Sequence, residues 1–196
     1  ARVAPGGAFE AEVAARFLYG APGADLALEG SLVVRPREDG LPGFPGFRFG
    51  LADDPVTPVR RALPGLPRTG ADGRAAFEVP VLDVPSATRP LEAALTLGVR
   101  EPGGRVVEEE IAVPVEPAGP LVGVRPRFEE GRVREGGTAA FEVIALSPAG
   151  ERIALDGLEW ELLKVERSFQ YYRLDGRWRF EPVDSTERVA AGTVDA

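Results

Sequence analysis

Residues 169–180, FQYYRLDGRWRF, place five aromatics and three arginines in twelve positions of a chain otherwise poor in aromatics. Flat rings interleaved with guanidinium groups can stack on nucleobases, offer a platform to sugars, or simply pack one face of a β-hairpin. Other candidate chemistry is thinner. Ser31, Ser86, Ser147, Ser168 and Ser185 have no histidine anywhere in the chain to activate them, and a Ser/Lys pair would have to use Lys164, the single lysine. The acids include Asp53-Asp54, Glu108-Glu109-Glu110 and Glu129-Glu130. These could contribute oxygens to a calcium site, but no D-x-D-x-D loop organises them, and solvated surface is the preferred reading. Nothing in the order of residues brings a particular carboxylate pair together for glycoside hydrolysis. Catalytic, cofactor-binding and metal-ligating residues are therefore assigned as none, no cofactor is expected, and the chain does not read as an enzyme.

Composition narrows the classes further. Cysteine, histidine and methionine are all absent, which excludes disulfides, thiolate nucleophiles, Cys/His zinc sites and imidazole acid-base catalysis. With 23 basic against 31 acidic residues the net charge is −8, so a phosphate backbone would be met against the overall field, and nucleic acid is not an expected partner. At 196 residues and 44% apolar the chain can bury a proper core. It opens Ala1-Arg2-Val3, with no initiator Met and no signal-like apolar stretch, and reads as a soluble piece of a longer protein. The lack of cysteine leaves the compartment open.

The elements that must position any site are strands. Phe9, Ala11, Val13, Ala15 and Phe17 alternate, as do Leu26, Leu28, Gly30, Leu32 and Val34. Ala75, Phe77, Val79 and Val81 follow, then Leu91, Ala93, Leu95, Leu97 and Val99. EPGGR, residues 101–105, turns the chain into 107–115, where Ile111, Val113 and Val115 share a face. Period two, with turn chemistry about every ten residues and no helical period, predicts an all-β antiparallel sandwich of the immunoglobulin or fibronectin-III kind.

The sequence also repeats. Gly6 to Val34 lies without gaps on Gly136 to Lys164 at an offset of 130, with ten of 29 positions identical. DGRAAFE from Asp72 matches DGRWRFE from Asp175 at an offset of 103, so the first copy carries 27 extra residues between its second strand and the DGR turn. They fall in the Pro/Gly-rich insertion 36–70, which reads as a long ordered loop, too rich in proline for a central strand. Two tandem sandwich domains are expected, at 1–117 and 121–196, joined by EPAGP at 116–120. The second should be C-terminally truncated, stopping about two strands short. A partner domain should then cover its exposed edge.

Within the aromatic stretch, Asp175-Gly176 predicts a two-residue type I′ turn, since both central residues need positive φ. That turn sets Leu174 opposite Arg177, Tyr172 opposite Arg179 and Tyr171 opposite Phe180. The expectation drawn from this register is that Phe169, Tyr171, Phe180 and Pro182 form a core face. Tyr172 and Trp178 are assigned to the other face, in cation–π contact with Arg179 and Arg173.

RFLYGAPGADL (16–26), FPGFRFGL (44–51), the D-G-R-A-x-F turn (72–77), TRPLEAALTLGVREPGGR (88–105) and YYRLDGRWRFEPV (171–183) together resemble successive macroglobulin-like domains of bacterial alpha-2-macroglobulins. The resemblance implies seven-stranded sandwiches strung in a row, lying upstream of a bait region. It implies non-catalytic scaffold within a broad-spectrum endopeptidase inhibitor that entraps proteases after bait cleavage, in many members with a thioester. The implied partners are neighbouring domains of the same parent chain, and proteases through the full-length protein. The implied setting is the periplasm, with membrane contact only through an anchor outside this stretch. Thioester and lipobox both need cysteine, and neither can be carried onto these residues. Arg60-Arg61 in the insertion would be cleavable if disordered, but the FPGF aromatics favour a packed loop over a bait. The alternative reading is a tandem immunoglobulin-like adhesin or carbohydrate-binding module of a cell-envelope protein, using Tyr172 and Trp178 as its platform.

Overall fold

Strands begin where the period-two runs begin. The computed structural model describes residues 2–128, 132–134 and 136–196, and no helix occurs among them. The fold is all-β and antiparallel, in two compact units, Ala1–Arg152 and Ile153–Ala196.

In the first unit, β1 (Ala8–Ala14) pairs with β5 (Arg74–Pro80) as a two-stranded sheet. Facing it is a four-stranded sheet in the order β4 (Val59–Ala62), β2 (Ala27–Pro36), β6 (Leu91–Arg100), β7 (Val106–Val115). The register sets Leu32 against Leu95 and Val34 against Ala93. Opposite residues share a face, so these four point inward together. They meet Ala11 of β1 and Val79 of β5 in one buried cluster closed by Val3, Val81, Leu91 and Val115. The EPGGR stretch turns as its composition demands: Glu101 N–H donates to Arg105 C=O at 2.8 Å, and Gly104 takes a φ of 85°.

The insertion 36–70 is ordered, and it does more than loop. Val59–Ala62 adds to the edge of β2, while β3 (Arg48–Phe49) pairs with β8 (Leu121–Pro126), setting Phe49 opposite Gly123. β8 continues into β9 (Phe141–Leu146) and the two-residue β10 (Arg152–Ile153), giving the sheet order β10-β9-β8-β3. Phe47 and Phe49 are buried against Leu121, Ile144 and Leu146, with Leu41 and Phe44 packed alongside. Burying two such rings contributes about 2–3 kcal/mol each as an upper estimate. Gly123 is required at that contact, because a Cβ there would lie 2.5 Å from the Phe49 ring. β3 from the insertion and β8 from beyond the EPAGP linker belong to one sheet, and the first compact unit runs on to Arg152.

The second unit is a ribbon of β11 (Leu158–Leu174) and β12 (Arg177–Val194), with a bulge between Leu162 and Leu163. Its open end is tied by reciprocal backbone bonds between Leu155 and Ala196 at 3.0 and 3.2 Å. The sequence repeat is thus not a repeat of pairing. By the offsets, β2 corresponds to β11 and β5 to β12, yet β2 and β5 lie in opposite sheets of the sandwich while β11 and β12 pair with each other. The missing 27 residues explain the difference: a two-residue turn returns the chain directly, whereas the insertion lets it cross to the facing sheet.

Candidate functional site

The aromatic tip of the ribbon has the turn that its sequence predicts. Asp175 and Gly176 take φ of 50° and 75°, and Leu174 pairs with Arg177, Arg173 with Trp178, Tyr172 with Arg179 and Tyr171 with Phe180. The assignment of faces needs correction. Successive residues alternate, so Trp178 lies on the side of Phe180 and Pro182, and therefore of Phe169 and Tyr171, while Tyr172 lies on the other. Ring centroids of Phe169 and Phe180 are 6.1 Å apart, and those of Tyr171 and Phe180 are 6.4 Å apart. Neither face is core within these residues: on one side Tyr171 and Trp178 are each 73% exposed and Phe180 66%, and on the other Tyr172 is 40% exposed. The expected cation–π pairs are also replaced. Among the described residues such contacts are Arg125 over Phe47 at 4.5 Å and Arg152 over Phe44 at 5.9 Å, in the other unit. Tyr172 and Trp178, on opposite sides of one ribbon, cannot form a shared sugar platform.

Ion pairs clamp the ribbon below the tip. Arg167 Nε and Nη2 donate to the two oxygens of Asp184 at 2.8 and 3.0 Å. This hydrogen bonding holds the Asp184 carboxyl below its ordinary range and raises Arg167. Lys164, the only candidate partner for a serine nucleophile, is instead 2.5 Å from Glu166. Ser168 donates to Val183 C=O, Ser31 accepts from Arg60 Nη1, and Ser147 accepts the Glu151 amide. None of these is brought to Lys164.

The acids separate in the same way. Asp54 accepts the Thr88 amide at 2.7 Å and the Thr88 hydroxyl at 2.8 Å, and these bonds hold its carboxyl below the ordinary carboxylate range. With Leu51 N–H to Thr88 Oγ1 and Arg89 Nη2 to Leu51 C=O, Asp54 latches the insertion to the stretch before β6. Glu110 pairs with Arg35 at 2.8 Å, and the Glu129-Glu130 pair lies outside the described residues. Among the described residues no three Asp or Glu side chains gather as a metal site. Arg60 and Arg61 stand in strand β4, hydrogen-bonded to β2 opposite Val33 and Leu32. Arg125 closes the insertion from β8, reaching Glu142 at 2.5 Å and the Pro45 carbonyl at 3.5 Å beneath its cation–π contact. Sequence reading missed this Arg125–Phe47–Gly123–Phe49 joint; the period-two pair Phe47/Phe49 in FPGFRFG was its available signal.

What the geometry defines is a class: antiparallel β-sandwich modules whose charged groups brace loops and strands. The model of the Bacterial Alpha-2-macroglobulin MG5 domain matches residues 1–117, and that of Bacterial macroglobulin domain 6 matches 123–196. Alpha-2-macroglobulin of Xylella fastidiosa (strain Temecula1) is 30% identical over 183 residues, 92% of this chain and 11% of that protein. The Escherichia coli (strain K12) protein of that name is 29% identical over 170 residues, 79% of this chain and 10% of its own. Among solved structures, Salmonella alpha-2-macroglobulin reacted with methylamine superposes with a TM-score of 0.71 at 24% identity, over 99% of this chain and 14% of that one. Escherichia coli alpha-2-macroglobulin activated by porcine elastase gives 0.67 at 25%, over 100% and 18%. The chain belongs to the bacterial alpha-2-macroglobulin family. It spans about a tenth of the length of its curated relatives.

Proposed function

We propose that these residues are non-catalytic scaffold in a broad-spectrum endopeptidase inhibitor, which traps a protease after the protease cuts a bait segment elsewhere in the longer protein. The observation that carries this reading is the pair of consecutive family matches running through nearly the whole chain. The braced insertion supports it: a segment latched by Asp54, Arg125 and two buried phenylalanines can transmit force between modules but offers a protease little extended backbone. The solved Escherichia coli relative was activated by porcine elastase, which supports a protease as the partner of the full-length protein. Mechanically, the modules would hold bait and capture surfaces apart in one packed arrangement and permit a second after cleavage, as bistable interfaces do. Neighbouring domains of the same protein are the direct partners. The proposed setting is the periplasm, with any inner-membrane anchor outside these residues.

The test uses the full-length protein with several unrelated endopeptidases, each assayed on casein and on a small chromogenic peptide. Entrapment predicts that casein cleavage falls while peptide cleavage persists. Loss of both alike, or of neither, contradicts it.

A further inference from the structure

The two sheets of the sandwich are unequal, and the shortfall leaves a groove. Four strands face two, so the inner face of β7 is covered only toward its C-terminal end, where Val3 bridges to Val115. Farther up the same face, Ile111 remains 49% exposed and Val107 42%, although their alternation marks them as core-facing. Between them and β1 lies a cavity of about 340 Å3 whose apolar lining includes Val13, Phe17, Leu97, Val99, Val107 and Ile111; no residue of β5 lines it. That volume falls at the small end of ligand-binding cavities, about 300–1,000 Å3.

One wall of this groove is an open strand edge. Ala15 N–H donates to Gly73 C=O and Val81 N–H to Gly7 C=O, which directs the odd-numbered backbone groups of β1 toward β5. The N–H and C=O groups of Ala8, Glu10, Glu12 and Ala14 therefore point away from β5, and none has a backbone partner among the described residues. The charge around this edge is acidic. Glu10 stands directly opposite Glu78 with no ion-pair partner among the described residues, a like-charge pairing that a neighbouring cation would relieve. Glu101 lines the cavity as well, Glu109 does so from the inner face of β7 between Val107 and Ile111, and Glu12 does so while paired to Arg74. Arg16 is the one basic residue on the lining, and its Nη1 reaches the Gly20 carbonyl at 3.4 Å.

We infer that the β1 edge is a strand-addition site for an extended polypeptide segment that carries apolar residues at alternate positions and basic residues between them. The added strand completes a three-stranded sheet on β1. Its apolar side chains enter the cavity over Val107 and Ile111, and its basic side chains lie on the solvent side beside Glu10 and Glu12. Backbone pairing supplies the affinity, and the acidic rim supplies the preference for basic over acidic strands.

The test is fluorescence anisotropy of the 196-residue chain with labelled nine-residue probes: alternating Arg/Val, alternating Glu/Val, and the Arg/Val peptide with N-methyl groups on alternate amides in either register. The Arg/Val peptide should saturate. The Glu/Val peptide, and the N-methylated peptide whose methyl groups fall on the amides turned toward β1, should bind at least about tenfold more weakly, whereas methylation in the other register should leave binding unchanged; amide NMR shifts on titration should centre on Glu10, Glu12 and Ala14. Ile111→Arg should weaken the Arg/Val peptide by a similar factor while leaving the urea melt unchanged, since that side chain is half exposed. N-methylation leaves the protein untouched, so it decides the matter even if the variant folds poorly. Absence of saturation to millimolar peptide, equal binding of basic and acidic peptides, or indifference to N-methylation in both registers overturns the proposal.

Discussion

Replacing Thr69 with valine should loosen the joint between the end of the insertion and the start of β2. Thr69 is 4% exposed, the one buried polar residue among those described. Its hydroxyl donates to Gly23 C=O at 2.6 Å and accepts the Leu26 amide at 2.8 Å. Its backbone makes two further bonds, accepting from Asp25 N–H at 2.9 Å and donating to Leu26 C=O at 3.1 Å. Valine keeps the shape and the backbone bonds but leaves one donor and one acceptor buried without partners. At about 1–3 kcal/mol for each orphaned group the loss is about 2–6 kcal/mol, on the order of 10 °C in Tm. Thr69→Ser keeps both hydroxyl bonds and removes one methyl, costing about 1 kcal/mol. Urea unfolding of both variants reads the difference, and hydrogen exchange at the Leu26 amide localises it. If valine costs no more than serine, the hydroxyl bonds do not hold this joint.

Gly123→Ala should undock the insertion, because the new Cβ would meet the Phe49 ring; the expected cost is about 1–3 kcal/mol, with faster exchange at the Gly50 amide that bonds to Val122. Exchange at Gly50 as slow as in the wild type would show that the ring simply moves aside. Asp54→Asn should destabilise near neutral pH by an amount that vanishes in acid. The folded carboxyl titrates below its unfolded value, so its contribution is complete above that unfolded value, about 3.9, and is lost as pH falls through the folded one. A gap in urea midpoints between wild type and variant that stays constant as pH falls through the carboxylate range would contradict this.

The sequence made the turn at Asp175-Gly176 and the tip register legible because both follow from local chemistry: positive φ at two adjacent residues fixes the loop, and the loop fixes every pair below it. The face of Trp178 followed from that same register by simple alternation, and was misassigned. Burial was not legible at all. Phe169, Tyr171 and Phe180 have a core-like pattern, but a pattern marks a face and cannot show whether a layer lies over it. Ile111 shows the same gap, sharing the face of Val113 and Val115 yet standing half exposed where the opposite sheet has no strand. The pairing of β3 with β8 escaped because a two-residue strand amid prolines and glycines carries almost no period; its position is set by Phe49 seating on Gly123, a contact 74 residues apart in the chain. The repeat at offset 130 was real in sequence and misleading in pairing, since the turn length after the second strand decides which sheet receives the next one.

The central claim, that these residues are braced scaffold and contain no bait, is tested most directly by limited proteolysis of the folded chain with several unrelated endopeptidases, mapping the earliest cuts by mass spectrometry. Residues 36–70, including the Arg60-Arg61 bond held in β4, should resist each enzyme while cuts elsewhere come first. First cuts inside 36–70 by every enzyme would instead make that insertion the bait-like segment.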